Sequence, residues 1–338
     1  MFRRLHFYLI LLALFLLPWQ TRWIYAEASL NGRFWEYGSM SLYGVEILLW
    51  LIVFIWGLRQ WYERKGVLPA QIQHFPRRNF YLTVSFFLWV FFVISQSQNI
   101  DYSIYIFSHW ILSVCLVLVL WSYAEKKISL LWALWGGGVV QGILAMVQFF
   151  TQTVGANKWL GMASQNPGDL GVAVVEFIDA RWLRAYGSFG WPNSLGIYLA
   201  IIWILGLIIF NSLEKFSATI KIIISTGQLV ILFGLLLTFS RNAIVGAVLG
   251  TVVFLFINIK KHNNPRRYLP LILFGGVFGI ILTIVYLPFL NLRLQAVGRL
   301  EAVSLSDRQT QFVEWGKVMR ENWLTGVGPG NYTLALYK

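Results

Sequence analysis

Two arginines, Arg241 and Arg184, lie next to the ends of long apolar segments. They are the strongest candidates for ligand-binding residues in the sequence. Arg241 lies in Ser240-Arg241-Asn242, the polar break in the apolar stretch 222–259. A helix that begins there brings its free N–H groups and the positive end of its dipole to the guanidinium. That combination suits a phosphate group. An arginine that snorkels at a helix end is the simpler alternative.

Arg184 occupies a similar place, at the start of a segment that contains Gly187 and Gly190 and ends in Pro192-Asn193. Proline suits the first turn of a helix, and glycines let a ligand approach the backbone closely. We therefore expect Arg184 to be a second phosphate-binding residue. An aromatic loop at the membrane interface is the competing interpretation, and the neighbouring Arg181 makes the choice of Arg184 less specific.

The sequence does not identify a catalytic base, a metal ligand or a cofactor ligand. It has no HExxH, CxxC, P-loop or GxSxG pattern, so neither metal nor nucleotide binding is expected. Glu46 falls about one turn inside an apolar span, where acids are usually functional, but a position at the interface fits equally well. His109 also falls inside a span, and the other histidines are His6, His74 and His262.

Membrane-spanning helices are the elements that must position these residues. Hydrophobic residues make up 58% of the 338 residues and charged residues 12%, whereas a soluble domain carries about 25% charged residues. The apolar residues come in blocks long enough to cross a bilayer core of about 30 Å. We predict an all-α polytopic bundle over residues 1–289. The nine predicted spans are 5–20, 41–58, 80–96, 104–123, 128–150, 191–210, 222–239, 243–259 and 269–289.

The stretch 222–259 is predicted to contain two spans, and the first span has a second interpretation. As one helix, the stretch 222–259 would run about 57 Å, nearly twice the thickness of the bilayer core. It must therefore turn at 240–242, with Ser240 or Asn242 as the N-cap of the second helix. For the first span, a signal peptide cleaved near Ala28 is an alternative.

Basic residues divide unevenly between alternate loops. The loops on the N-terminal side carry 15 of the 27 basic residues and three acids, and the opposite loops carry 12 basic and 10 acidic residues. The positive-inside rule predicts the N-terminus and loops 59–79 and 260–268 in the cytoplasm, and residues 151–190 and 290–338 outside. The net charge of +13 then reflects topology and contact with membrane lipids, and it does not indicate nucleic acid.

The tail from residue 290 has a soluble composition and is predicted to form a helix and a turn. Ser306-Asp307-Arg308-Gln309 fits a capping box, which would place Arg308 in the first turn of the helix. The dipole disfavours a cation there, so Arg308 is a third candidate for an anionic partner, although a solvated charge fits equally well. The apolar residues Phe312, Trp315, Met319 and Trp323 follow at helical spacing, before the tight turn Gly326-Val327-Gly328-Pro329-Gly330-Asn331.

Three segments resemble motifs of the O-antigen ligases and O-antigen polymerases. Thr238-Phe239-Ser240-Arg241 is similar to the SR signature that opens their shared domain. Arg184 to Asn193, with Gly187, Phe189 and Pro192, is similar to their R-x-x-G-x-F-x-x-P-N segment. The tail from Arg308 through Trp315 to Asn331 resembles their periplasmic helix and glycine-rich turn. The resemblance covers residues 180–338 by motif and the rest of the chain by topology alone.

The resemblance implies transfer of a glycan from undecaprenyl pyrophosphate to a glycan or lipid acceptor, at the periplasmic face of the bacterial inner membrane. It implies neither metal nor cofactor. By motif, Arg241 and Arg184 would bind the diphosphate, with Arg308 as a third candidate. The supporting motif residues would be Ser240, Gly187, Asn193, Gly326, Gly328 and Gly330.

One departure from the family pattern concerns the base. The resemblance implies a periplasmic histidine as base, but no histidine follows His262, so the catalytic residue is unknown. We expect residues 290–338 to be the start of a larger periplasmic loop in a fragment, and a chain that lacks the base is the alternative. Ligase and polymerase are not separated, because they share a donor and differ in acceptor. The competing hypotheses are a transporter or flippase of a lipid-linked or polar solute, and a non-catalytic membrane scaffold or sensor.

Overall fold

The structure is a computed structural model that describes residues 2–64, 77–177, 180–211, 217–262 and 299–336, together with Gly276. Most of these residues are helical. The α-helices in this part of the chain are α1 (Phe2–Leu16), α2 (Gly44–Arg64), α3 (Arg77–Ser95), α4 (Ile100–Trp121), α5 (Lys127–Thr151), α6 (Pro192–Asn211), α7 (Ala218–Leu237), α8 (Arg241–His262), α9 (Arg299–Glu321) and α10 (Tyr332–Leu336).

Short strands connect some of the helices, and the all-α prediction omitted them. They form three antiparallel pairs in the described part of the chain. The strands are β1 (Arg22–Ala26), β2 (Ser29–Leu30), β3 (Arg33–Phe34), β4 (Met40–Tyr43), β5 (Val174–Phe177) and β6 (Ala180–Leu183), paired β1 with β4, β2 with β3 and β5 with β6. Strands of two to five residues are too short to show a reliable alternation of polar and apolar residues.

The chain is a multi-pass helical membrane protein. Among the described residues, six helices are long and apolar enough to cross a membrane: Gly44–Tyr62, Ile100–Trp121, Ala124–Thr151, Pro192–Phe210, Ala218–Leu237 and Arg241–Asn258. They overlap six of the predicted spans. The predicted span 80–96 corresponds to the shorter apolar helix Phe80–Ser95, and the predicted span 5–20 to α1, which has 15 residues and ends at Leu16. The predicted span 269–289 lies outside the described residues, so the count of nine stays a prediction.

The long apolar stretch 222–259 turns close to the polar break at 240–242, as predicted. Helix α7 ends at Leu237 and α8 begins at Arg241. Ser240, one of the two expected N-cap residues, directly precedes α8, while Asn242 lies inside it. Between the helices, Phe239 has a φ of 50°, a left-handed conformation that is rare for a bulky residue.

The chain divides into two compact units. Unit 1 comprises Met1–Leu9, Arg22–Lys126 and Ala302–Lys338, and unit 2 comprises Ile10–Thr21 and Lys127–Glu301. In unit 2, helices α5 to α8 pack together around one buried apolar cluster. Glycine makes this packing close: a Cβ added at Gly142 of α5 would lie 2.8 Å from the Val230 carbonyl oxygen of α7.

Buried polar side chains also join the helices of unit 2. The Gln228 side chain of α7 accepts a hydrogen bond from Trp135 Nε1 (3.2 Å) and donates one to the Trp203 carbonyl oxygen (3.0 Å). Because lipid offers no partner for such groups, these bonds must be made inside the protein.

In unit 1, α4 packs between α2 and α3. At one end of the unit, His6 Nε2 donates to the Ile52 carbonyl oxygen (3.0 Å), because a carbonyl only accepts. Its Nδ1 lies 2.8 Å from the Tyr123 hydroxyl, which accepts from Arg59 (3.1 Å). Residues near the start of α1 and the ends of α2 and α4 thus meet at one end, as alternating spans require.

The tail helix contradicts one expectation. Helix α9 begins at Arg299, so Ser306-Asp307-Arg308-Gln309 is not its capping box. Thr310 donates its hydroxyl proton to the Ser306 carbonyl oxygen within the helix (3.0 Å). Arg308 therefore lies well inside α9, away from the unfavourable end of the dipole, and the dipole argument for an anionic partner of Arg308 is wrong.

Candidate functional site

Arg184 joins the two motif segments of unit 2. Its side chain is 6% exposed. The guanidinium donates from Nε to the Thr238 carbonyl oxygen (2.8 Å) and from an Nη to Asn193 Oδ1 (2.7 Å). Ala185 N donates to the Leu237 carbonyl oxygen in the same region (3.0 Å). Arg184 thereby fixes the turn before Arg241 to the first turn of α6.

The segment that follows Arg184 is held by its backbone. Gln148 Oε1 accepts from the amides of Tyr186 (3.1 Å) and Gly187 (2.8 Å), and its Nε2 donates to the Gly187 carbonyl oxygen (2.8 Å). Gln141 Oε1 accepts from Ser188 N (2.9 Å). Both glutamines belong to α5, two helical turns apart on one face. Sequence reasoning missed them, although two amides seven residues apart in an apolar span are a detectable signal.

Gly187 is required by its conformation and by its surroundings. Its φ is 58°, in the left-handed region that favours glycine. A Cβ at this position would lie 2.5 Å from Gln141 Oε1 and 2.9 Å from Leu195 Cδ1. Glycine is therefore required at position 187, because a larger residue would collide with side chains of α5 and α6.

Two helix N-termini meet beside this segment. A Cβ added at Gly196, in the second turn of α6, would lie 3.0 Å from Ser240 Cβ and from Ala243 Cβ, at the start of α8. The positive ends of two helix dipoles are thus adjacent, next to the cationic Arg184 and the half-buried Arg241. Such a concentration of positive charge and backbone N–H groups is stabilised by an anion.

The turn that carries Arg241 is conformationally strained. Phe239, in the left-handed region, is 4% exposed, and its ring centre lies 5.9 Å from that of Phe149. A conformation of this kind costs about 1–3 kcal/mol, persists only when packing enforces it, and is common at functional sites. Burial holds Phe239 in place and so fixes the direction in which α8 leaves the turn.

Tyr186 lies beside the arginine but is not a candidate base. Burial raises the pKa of its hydroxyl, against smaller opposing effects of a hydrogen bond from the Ala173 amide and of the Arg184 charge. The Ala173 amide donates to the hydroxyl oxygen at 2.7 Å. At neutral pH the hydroxyl keeps its proton and cannot accept another group's proton.

Arg308 and the glycine-rich turn belong to unit 1, and the role of Arg308 as a third diphosphate-binding residue stays a prediction. Arg308 is exposed on α9. Gly326, Gly328 and Gly330 all have positive φ, 66°, 87° and 76°, which explains why glycine occupies these positions.

The turn fastens the tail to the α3–α4 loop. Asn331 is fully buried: its Oδ1 accepts from Asn99 N (2.8 Å), and its Nδ2 donates to Ser103 Oγ (2.6 Å) and the Pro329 carbonyl oxygen (3.0 Å). A Cβ added at Gly328 would collide with the Ser97 side chain. We call residues 326–331 the latch turn.

The Glu46 carboxyl group and the His109 ring are in contact in unit 1, which sequence reasoning did not predict. Glu46, in the first turn of α2 and 8% exposed, lies 3.3 Å from His109 Nε2. His109 Nδ1 donates to the Tyr105 carbonyl oxygen at 2.7 Å. Both ring nitrogens are therefore engaged, and His109 does not present an open nitrogen to a substrate. Among the described residues, no group of three or more histidines, cysteines and acids is arranged to hold a metal ion.

The segment that contains the α7–α8 turn and the tail is similar to a known family. Residues 226–338 match the family model described as O-antigen ligase. This match supports an O-antigen ligase/polymerase-like family. The resemblance inferred from Ser240-Arg241 and the latch turn is thereby confirmed. The matched O-antigen ligase region covers about a third of the chain and does not include the Arg184 segment. No curated protein and no solved structure matches the chain.

Proposed function

We propose that this chain takes part in transfer of a glycan from an undecaprenyl-pyrophosphate donor to a glycan or lipid acceptor, at the periplasmic face of the bacterial inner membrane. The diphosphate would bind beside the α7–α8 turn. One observation carries the proposal: Arg184 ties the turn before Arg241 to the start of α6, and the N-terminal parts of α6 and α8 are in contact. The O-antigen ligase match over the same turn supports it.

The proposed chemistry requires cations that are already in place. As the bond between sugar and diphosphate breaks, negative charge grows on the leaving phosphate oxygens. Arg241 and the first N–H groups of α8 would stabilise this charge without rearrangement. An arginine also offers a planar fork that matches two phosphate oxygens, which a lysine does not.

Arg184 and its partners would act mainly by positioning. Its bonds to Thr238 and Asn193 fix the turn, and Gln148 and Gln141 fix the segment beside it. A site built in this way keeps its donors oriented in the absence of substrate. The proton acceptor for the incoming hydroxyl is not assigned, because His109 has both ring nitrogens engaged.

Donor binding to the purified chain in nanodiscs tests the proposal. Arg241→Ala removes a charged donor, so the affinity for undecaprenyl-pyrophosphate-linked glycan should fall about 10- to 150-fold. Arg241→Lys should recover part of this loss. Arg181→Ala is the matched control, because this exposed arginine lies in the neighbouring strand β6 and should leave the affinity unchanged. Equal affinity of Arg241→Ala and the unmodified chain would refute a diphosphate site at this turn.

A further inference from the structure

The tail helix α9 carries an uncovered apolar stripe. Phe312 is 74% exposed, Trp315 54%, Met319 40% and Trp323, just beyond the helix, 73%. Glu314, Val318 and Asn322 are half-buried. Four large apolar side chains on one face of a polar segment require an explanation. We call Phe312, Trp315, Met319 and Trp323 the apolar stripe.

Charges are distributed unevenly around the same helix. At about 100° per residue, Arg308 and Arg320 lie within about 80° of Phe312, beside the apolar stripe. The acids Asp307, Glu314 and Glu321 lie about 140–180° away, on the far side, together with Lys317. A face with aromatic and aliphatic side chains flanked by arginines, opposite an acidic face, complements a surface of apolar chains and phosphate headgroups.

The latch turn brings this helix close to the membrane boundary. Asn331 binds Asn99 and Ser103, at the start of the membrane-spanning helix α4. Gly328 lies against Ser97, just after α3 ends. Trp323 and Gly328 are five positions apart, a reach of at most about 18 Å. The C-terminal end of the apolar stripe is therefore held within about 18 Å of the point where Gly328 contacts Ser97, close to the start of α4.

We propose that α9 lies on the membrane surface, on the side of the α3–α4 loop, with the apolar stripe among the lipid headgroups. Trp315 and Trp323 occupy the interfacial zone that tryptophan prefers. Arg308 and Arg320 contact lipid phosphates, and the exposed acids Asp307 and Glu321 on the opposite face remain in water. The latch turn limits the distance of α9 from the membrane, and the apolar stripe determines which face of α9 turns towards the lipid. This inference needs only the multi-pass membrane character of the chain and does not depend on glycan transfer.

Fluorescent labels at paired positions test the proposal. In a Cys115→Ser background, an NBD label is placed at Met319→Cys on the apolar stripe, and at Lys317→Cys as the matched control on the opposite face. Both side chains are exposed. The protein is reconstituted in nanodiscs whose lipids carry a doxyl group close to the headgroup. Quenching at position 319 should exceed that at 317 by at least about twofold, and the pair Phe312→Cys and Thr310→Cys should behave in the same way.

Two outcomes would overturn the proposal. Equal lipid quenching at positions 317 and 319 would mean that the stripe does not touch the membrane. Protection of position 319 from aqueous iodide without quenching by doxyl lipid would mean that protein covers the stripe. Circular dichroism that is unchanged in each variant ensures that the comparison is made on folded protein. As a second arm, Trp323→Ser should lower the quenching at 319, because it removes one interfacial anchor.

Discussion

Replacement of Asn331 by alanine should release the tail from the α3–α4 loop. The change removes the hydrogen bonds to Asn99 N, Ser103 Oγ and the Pro329 carbonyl oxygen, and a longer one to the Asn99 carbonyl oxygen (3.5 Å). A buried hydrogen bond contributes about 1 kcal/mol net. The loss of the three shorter bonds should therefore lower the local stability of the latch turn by about 3 kcal/mol.

Two further variants separate the hydrogen bonds from the size of the side chain. Asn331→Asp keeps the shape and the acceptor for Asn99, but it places an oxygen opposite the Pro329 carbonyl oxygen, 3.0 Å from the present nitrogen. A loss similar to that of alanine is expected. Asn322→Ala is the matched control. The Asn322 side chain is half-buried and donates to the Val318 carbonyl oxygen, near the end of α9.

Hydrogen–deuterium exchange over residues 322–336 measures the effect. When opening is fast, the exchange rate follows the population of the open state. A loss of about 3 kcal/mol should therefore raise that rate about 100-fold, while exchange in α5 to α8 stays unchanged. A rise of less than about threefold for Asn331→Ala, or an equal rise for Asn322→Ala, would refute the role assigned to Asn331.

Three other predictions follow from the helix bundle. Arg184→Lys should lower stability by about 1.5–3 kcal/mol in thermal unfolding, because one ammonium cannot replace both charged hydrogen bonds of the guanidinium; unchanged stability would contradict the bracing role. Gly142→Ala should destabilise the bundle by about 1–3 kcal/mol, because the added carbon meets α7 backbone. Gly136→Ala is its control, since the nearest atom there lies 3.5 Å away, and equal effects of the two would count against close packing. With the native cysteine replaced, Leu170→Cys should react with an impermeant maleimide in intact cells and Glu125→Cys should not; the reverse pattern would invert the predicted topology.

The sequence predicted the helices and their turns well where a physical limit applied. A stretch of apolar residues longer than the bilayer is thick has to reverse, and the polar break marked the place within a few residues. The start of α9 was predicted wrongly for a related reason. The pattern Ser306-Asp307-Arg308-Gln309 satisfies a capping box, but nothing in that pattern excludes a helix that has already begun at Arg299.

Contacts between distant residues could not be predicted in the same way. Arg184 was chosen for its charge and its neighbours, and its bond to the Thr238 carbonyl oxygen, 54 residues away, depends on how α6 and α7 pack. The same is true of Asn331 and Asn99, which are 232 residues apart. Periodicity and composition describe local structure, whereas these bonds are decided by tertiary packing.

The hydrogen bonds from α5 to the segment after Arg184 affect which residues of this region can vary between related proteins. Gln148 and Gln141 bind main-chain atoms of residues 186–188, so the path of the backbone is independent of the side chains at the following positions. The exposed Gly190 and Trp191 can therefore change in size and polarity without moving the arginine behind them. This region therefore has a frame, residues 184–188, whose backbone is fixed, and a rim, Gly190 and Trp191, whose side chains can vary. Under the proposed function, replacement of the rim alone would let homologous chains accept different sugars while the proposed diphosphate site keeps its frame.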